Sequence, residues 1–175
     1  QVKGMKVKAA KNSGDMFYSK QNLTNIDLSM LDTSNVTNMC SMFRDCRGLT
    51  ALDLSPLNTQ NVTDMSYMFN SCRGLTALDL SPLDTQNVAS MEDMFNGCSC
   101  LTALDLSSFD TQKVTSISDM FYWCNSLTIL TTGPNFKFVG TNYNLSGTWQ
   151  NTAGETFTAG NFPSNVADTY TKISN

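Results

Sequence analysis

The chain has 175 residues, 41% of them apolar, with six cysteines, no histidine and a formal net charge of −4. That length and apolar content fit one domain with a sizeable core and exclude a disordered chain. Residues 1–20 carry Lys3, Lys6, Lys8, Lys11 and Lys20 against Asp15, whereas the remainder has six basic and fourteen acidic side chains, a net of −8; this acidic body excludes a nucleic-acid partner, whose phosphates need a basic face.

Residues 1–25 read as a degenerate first rung. Met5-Lys6-Val7-Lys8-Ala9 alternates as an edge strand, its lysines guarding against pairing with other molecules. Asn12-Ser13-Gly14 turns the chain, Asp15-Met16-Phe17-Tyr18 opens a helical half-repeat, and Lys20 stands where a cysteine recurs later. Four units of 26 residues follow, at 26–51, 52–77, 78–103 and 104–129. A Met-Phe pair marks the period without a gap at Met16-Phe17, Met42-Phe43, Met68-Phe69, Met94-Phe95 and Met120-Phe121. A fixed period of this length means that units stack on one another, because one unit alone buries too little to offset its own ordering.

Two patterns alternate within each unit. In Ala51-Leu52-Asp53-Leu54-Ser55 leucines alternate with small polar residues, the pattern of a short strand with one buried face. After a polar turn, Val62, Met65, Met68, Phe69 and Cys72 fall on one stripe of a short helix. Arg73-Gly74 would close that helix with a left-handed glycine, as Arg47-Gly48 would one unit earlier. The predicted fold class is therefore an α/β solenoid of strand-turn-helix rungs over residues 26–130, with an N-terminal capping rung at 1–25 and a β-rich C-terminal cap at 131–175.

Cys46, Cys72, Cys98 and Cys124 lie one period apart and form a column. It reads as a ladder of buried thiols, although distance alone leaves disulfides within it open. Cys40 and Cys100 fall in other columns, and the spacings do not fit a zinc site. Beyond Leu130 the period is lost. Short alternating runs such as Phe136-Lys137-Phe138 and Glu155-Thr156-Phe157-Thr158, joined at Gly140, Gly147, Gly154 and Gly160, suggest strands that cover the last rung with aromatic bulk. No apolar run reaches the roughly 20 residues that span a bilayer. With no signal-peptide pattern and Gln as its first residue, the chain is expected to be part of a longer protein.

The unit L-D-L-S-x-[LF]-[DN]-T-x-x-V-x-x-[MI]-x-x-M-F-x-x-C-x-x-L-T, seen at residues 78–102, resembles the BspA-like leucine-rich repeats, the 26-residue repeats of bacterial surface proteins. The resemblance covers Asp15 to Leu130. The segments Gly147-Thr148-Trp149, Gly154–Thr158 and Ala167–Tyr170 are similar to a module that closes such arrays in Gram-positive surface proteins. Membership would imply a leucine-rich-repeat solenoid on a secreted or wall-attached protein, often an adhesin, and supplies no catalytic residues or cofactor. One departure stands out: Leu57 occupies the place of the usual asparagine ladder. Candidates to replace it are Thr33, Thr59, Thr85 and Thr111 with the preceding Asp32, Asn58, Asp84 and Asp110, whose short polar side chains bond backbone amides.

Strand alternation points Asp27, Asp53, Asp79 and Asp105 outward, flanked by Ser29, Ser55, Ser81 and Ser107. Stacked carboxylates repel one another, so the column is either an acidic stripe for a cationic partner, a divalent ion or a glycan, or one solubilising residue copied by duplication. A column of single aspartates lacks the six to eight oxygens a calcium site needs. Tyr122, Trp123 and Trp149 are candidate aromatic anchors. With no histidine, no phosphate loop and no nucleophile beside a base, an enzyme is not expected. Sequons at Asn22, Asn35, Asn61 and Asn144 are incidental to the repeat. Two readings follow: an extracellular module that binds a host protein or glycan, or a structural spacer of a cell-wall protein with no ligand of its own.

Overall fold

The computed structural model describes residues 6–174; Lys3 and Met5 of the basic N-terminal segment lie outside the described residues. Strand β1 (Val7–Lys8) pairs in parallel with β2 (Leu31–Asp32). The other strands are β3 (Ala103–Leu106), β4 (Ile129–Thr132), β5 (Thr148–Gln150), β6 (Thr156–Phe157) and β7 (Asp168–Ser174). They form one sheet in the order β3-β4-β7-β5-β6, parallel between β3 and β4 and antiparallel elsewhere.

No helix forms among the described residues, which corrects the expected α/β solenoid of leucine-rich-repeat rungs. The described residues are all-β, with regular sheet confined among them to those two assemblies. The repeat is expressed instead as turn-rich layers, linked by parallel bridges Asn12↔Asn38, Asn38↔Asp64, Asp64↔Ser90 and Ser90↔Ser116.

The reason lies in the backbone of the supposed helix. Ser41 and Asp45, Tyr67 and Ser71, Asp93 and Gly97, and Asp119 and Trp123 all have φ between 54° and 75°. Left-handed residues every four positions break any right-handed helix. They fall at the third positions of consecutive tight turns, closed in the second layer by Met42 N–H to Met39 C=O at 3.2 Å and Cys46 N–H to Phe43 C=O at 3.1 Å. The intervening amides leave the layer: those of Met39, Ser41, Phe43 and Asp45 donate to the carbonyls of Asp64, Ser66, Met68 and Asn70 at 2.8–3.0 Å. An α-helix would spend these donors on its own carbonyls; here they hold the next layer.

The apolar stripe is nevertheless buried. Val62, Met65, Met68, Phe69 and Cys72 are all inaccessible, as are their equivalents in the layers on either side. Phe17, Phe43, Phe69 and Phe95 stack nearly parallel, with centroids 5.5–5.8 Å apart. All six cysteines are free thiols. In the buried column each Sγ donates to a carbonyl of the preceding layer, as Cys98 does to Phe69 at 3.0 Å. Burial pushes the Cys124 thiol up to about 12 and raises Cys46, Cys72 and Cys98 as well.

Short polar side chains fasten the turns. Thr59 Oγ1 donates to Asp84 C=O at 2.9 Å and accepts from Asp84 N–H at 2.8 Å, and Thr33, Thr85 and Thr111 repeat this bond pair toward Asn58, Asp110 and Lys137. The threonines thus bond the following layer and not their own. Asp32, Asn58, Asp84 and Asp110 each accept from the amide two residues on, at 3.0–3.1 Å.

Two further expectations change. Gly48 and Gly74 are not left-handed caps. A Cβ on them would lie 2.7 Å from Gln21 O and 2.6 Å from Leu49 O, so close approach of neighbouring backbone requires glycine there. The Leu-Asp-Leu-Ser segments at 52–55 and 78–81 make no inter-layer backbone hydrogen bond among the described residues. Of the equivalent segments only the last, in β3, forms a regular ladder among the described residues, with β4, which pairs on its other side with β7.

Beyond β4 the chain closes the stack. Thr111, Asp119 and Phe121 donate their amides to the carbonyls of Asn135, Asn142 and Tyr143 at 2.7–3.0 Å, and for Asp119 and Phe121 the cap thus supplies the acceptors that the next layer supplies to Asp93 and Phe95. Phe136, Phe138, Tyr143, Trp149, Phe162 and Tyr170 pack beneath it as a buried aromatic cluster.

Candidate functional site

The aspartate column lies where strand alternation placed it. Asp27, Asp53, Asp79 and Asp105 are exposed, and each Oδ1 accepts the backbone amide of Ser29, Ser55, Ser81 or Ser107 at 2.9 Å. Hydrogen bonds from the same serines, hydroxyl first and amide second, hold Asp27, Asp53 and Asp79 below the usual carboxylate range. The column thus turns the chain at each layer. The hollow beside Asp79 and Asp105 has about 60 Å³, room for roughly two waters. No three or more His, Cys, Asp or Glu side chains among the described residues are grouped to hold a metal ion.

The three aromatic candidates separate. Trp149 is only 1% exposed and donates Nε1–H to Ser146 C=O at 3.0 Å, which makes it a core residue of the cap and not a surface anchor. Tyr122 and Trp123, on the last turn layer, are 46% and 58% exposed. Their rings meet edge to face with centroids 5.6 Å apart.

These two rings border a groove of about 430 Å³, lined also by Ser71, Arg73, Asn96, Gly97, Ser99 and Asn125. Its shape follows from one column of left-handed turn residues: Ser19, Asp45, Ser71, Gly97 and Trp123. Gly97 has no side chain to fill the space between Ser71 and Trp123, and its amide donates to Tyr122 C=O at 2.8 Å, tying groove floor to wall. A Cβ on Gly97 would lie 3.1 Å from Ser71 Oγ. Trp123 has φ 60°, a conformation costly for a bulky side chain and met in the other layers by smaller residues. Asn96 is fixed by its Nδ2–H bond to Asp93.

A second hollow of about 630 Å³ at the opposite end is lined by Phe17, Leu23 and Ile26 among others. Among the described residues nothing covers this face of the first layer's apolar column. Sequence reading found Tyr122 and Trp123 but assigned Arg73 to a helix end and passed over Ser71 and Gly97. Aligning the layers column by column carries the missing signal, since Gly97 and Trp123 are the two departures from small polar residues in theirs.

No curated protein and no solved structure matches the chain. Residues 1–99 and 51–144 match the family described as "Mycoplasma protein of unknown function, DUF285", and the chain belongs to that family.

Proposed function

We propose that this chain is a binding module of a bacterial surface protein and that it holds a glycan in the groove beside Tyr122 and Trp123. The observation that carries this is the exposed aromatic pair set against a groove otherwise lined by Ser, Asn, Arg and Gly. Aromatic faces pack on the apolar faces of sugar rings, while amide, hydroxyl and guanidinium groups bond the hydroxyls. Trp123 adds weight, because the fold does not require a large residue at a strained position where other layers carry Ser, Asp or Gly. Among the described residues no carboxylate and no thiol lines the groove, so the chemistry it offers is recognition and not proton transfer. Placement outside the cell, in a longer protein, rests on the resemblance of the repeat to those of bacterial surface proteins.

The spacer reading keeps one specific support: the aspartate column is spent on turns in every layer. A screen on immobilised glycans and matrix proteins separates the two readings. Wild type is expected to bind a glycan, and Trp123→Ala to weaken it by about 2 kcal/mol, roughly thirty-fold. The Asp53→Asn, Asp79→Asn, Asp105→Asn triple variant is expected to bind unchanged. Loss of binding in the folded triple variant would move recognition to the aspartate column. No binding by wild type would leave the spacer.

A further inference from the structure

The chain's three arginines occupy two neighbouring layers and meet three different fates. Arg44 lies between two rings, its guanidinium 5.6 Å from the centroid of Tyr18 and 5.0 Å from that of Tyr67. Arg47 is neutralised locally, with Nη2 and Nε donating to Asp45 Oδ1 at 2.9 and 3.1 Å. Arg73 holds the place of Arg47 one layer on, but Ser71 stands where Asp45 stood. Ser71 Oγ turns away to donate to Asn70 Oδ1 at 3.0 Å. Among the described residues the Arg73 guanidinium therefore has neither an ion-pair nor a hydrogen-bond partner, and it borders the groove.

In a chain with fifteen acidic side chains, this groove has a cation in its lining and, among the described residues, no carboxylate. The repeat thus contains its own comparison: the same arginine paired in one layer and released in the next, where the groove opens over Gly97. Guanidinium presents a planar fork of donors that matches an oxyanion with two bonds. We infer that the ligand of this groove is an acidic sugar, its carboxylate or sulfate ester held by Arg73 while a ring stacks on Trp123. This rests on the reading of the groove as a glycan site and adds the charge of the glycan. The net charge of −4 repels long polyanions, so the fitting ligand is a short or terminal unit with few charges.

The test is titration calorimetry of the whole chain with three probes: a glucuronate-containing hyaluronan tetrasaccharide, a sulfated chitotetraose and neutral chitotetraose. At least one acidic probe is expected to bind ten-fold or more tighter than the neutral one, and the preferred acid identifies the group recognised. Arg73→Gln is expected to bring the acidic probe down to the neutral level. Ser71→Asp should do the same by restoring the partner that Arg47 has, at a left-handed position where Asp45 shows aspartate to be accepted. Arg47→Gln should change nothing, and thermal melts check that each variant folds. Equal binding of acidic and neutral probes, or full acidic binding by Arg73→Gln, overturns the charge assignment. If Trp123→Ala still abolishes binding in that case, the glycan site itself stands. Absence of binding by wild type to all three probes overturns the charge assignment, and the broader glycan screen then decides the site.

Discussion

The turn layers and the C-terminal cap solve the same problem in opposite ways. In the layers the core columns repeat, so phenylalanines stack within 6° of parallel and each buried-column thiol and threonine makes the same bond. In the cap nothing repeats, and aromatic planes meet at 32° to 87° around Phe162 and Tyr170. Translation from layer to layer imposes one geometry on all, and dangling backbone donors accumulate at its end. The cap is irregular because it must end the translation: it takes the last-layer amides of Asp119 and Phe121 on the carbonyls of Asn142 and Tyr143 and buries the last apolar face under aromatic bulk. The groove forms across the last three turn layers, at the end where Trp123 and Tyr122 break the chemistry of their columns.

The sharpest way to break that division is at the junction. A Cβ on Gly133 would sit 2.0 Å from Ser107 O, a backbone atom that cannot swing aside. Gly133→Ala is expected to cost about 3 kcal/mol in urea unfolding and to separate the transitions of layers and cap. Retained stability with a single transition would mean that the β3–β4 junction is looser than the geometry states.

Within the layers, Thr85→Val removes the hydroxyl that both donates to Asp110 C=O and accepts from Asp110 N–H. The expected loss is about 2 kcal/mol, while Thr85→Ser keeps both bonds and most of the stability. Equal losses for Val and Ser would assign the effect to the methyl group's packing instead.

The smallest effect concerns the thiols and appears only in alkali. Burial raises the folded Cys98 thiol well above its ordinary 9.0, so above that pH the unfolded chain loses a proton that the folded chain keeps. Stability from this group is complete below pH 9.0 and is lost as pH rises beyond it. Cys98→Ala should flatten the alkaline fall in stability by up to about 1.4 kcal/mol per pH unit. An unchanged slope would show that Cys98 ionises in the folded state.

Much of this was legible in the residues. The column of cysteines, the buried Met-Phe pairs and the outward aspartates all follow from period and alternation. Threonine was identified as the substitute for the missing asparagine ladder, although its partner proved to be the next layer and not the local turn. The helix was not legible as absent, because Val62, Met65, Met68, Phe69 and Cys72 have a spacing that a helix and a pair of tight turns bury equally well. A hint was present in Ser41, Asp45, Ser71, Asp93 and Asp119, turn formers recurring every four residues or every period. Arg73 could not be recognised as free from its own surroundings, since its state depends on what stands at Ser71 compared with Asp45.

Within the repeats the sequence by itself determined which side chains are buried and that equivalent residues lie one above another, because apolar spacing and a fixed period are properties of the chain. Only the tertiary structure decided what the backbone does between them. Each alternate amide can bond its own turn or a carbonyl 25 residues further on, as Met39 does to Asp64. Stacking places that distant carbonyl within reach, and the left-handed residues then turn the amide toward it. No local window of sequence contains that choice, which is why the expected helix gave way to turns and why the groove over Gly97 appears only once the layers are in place.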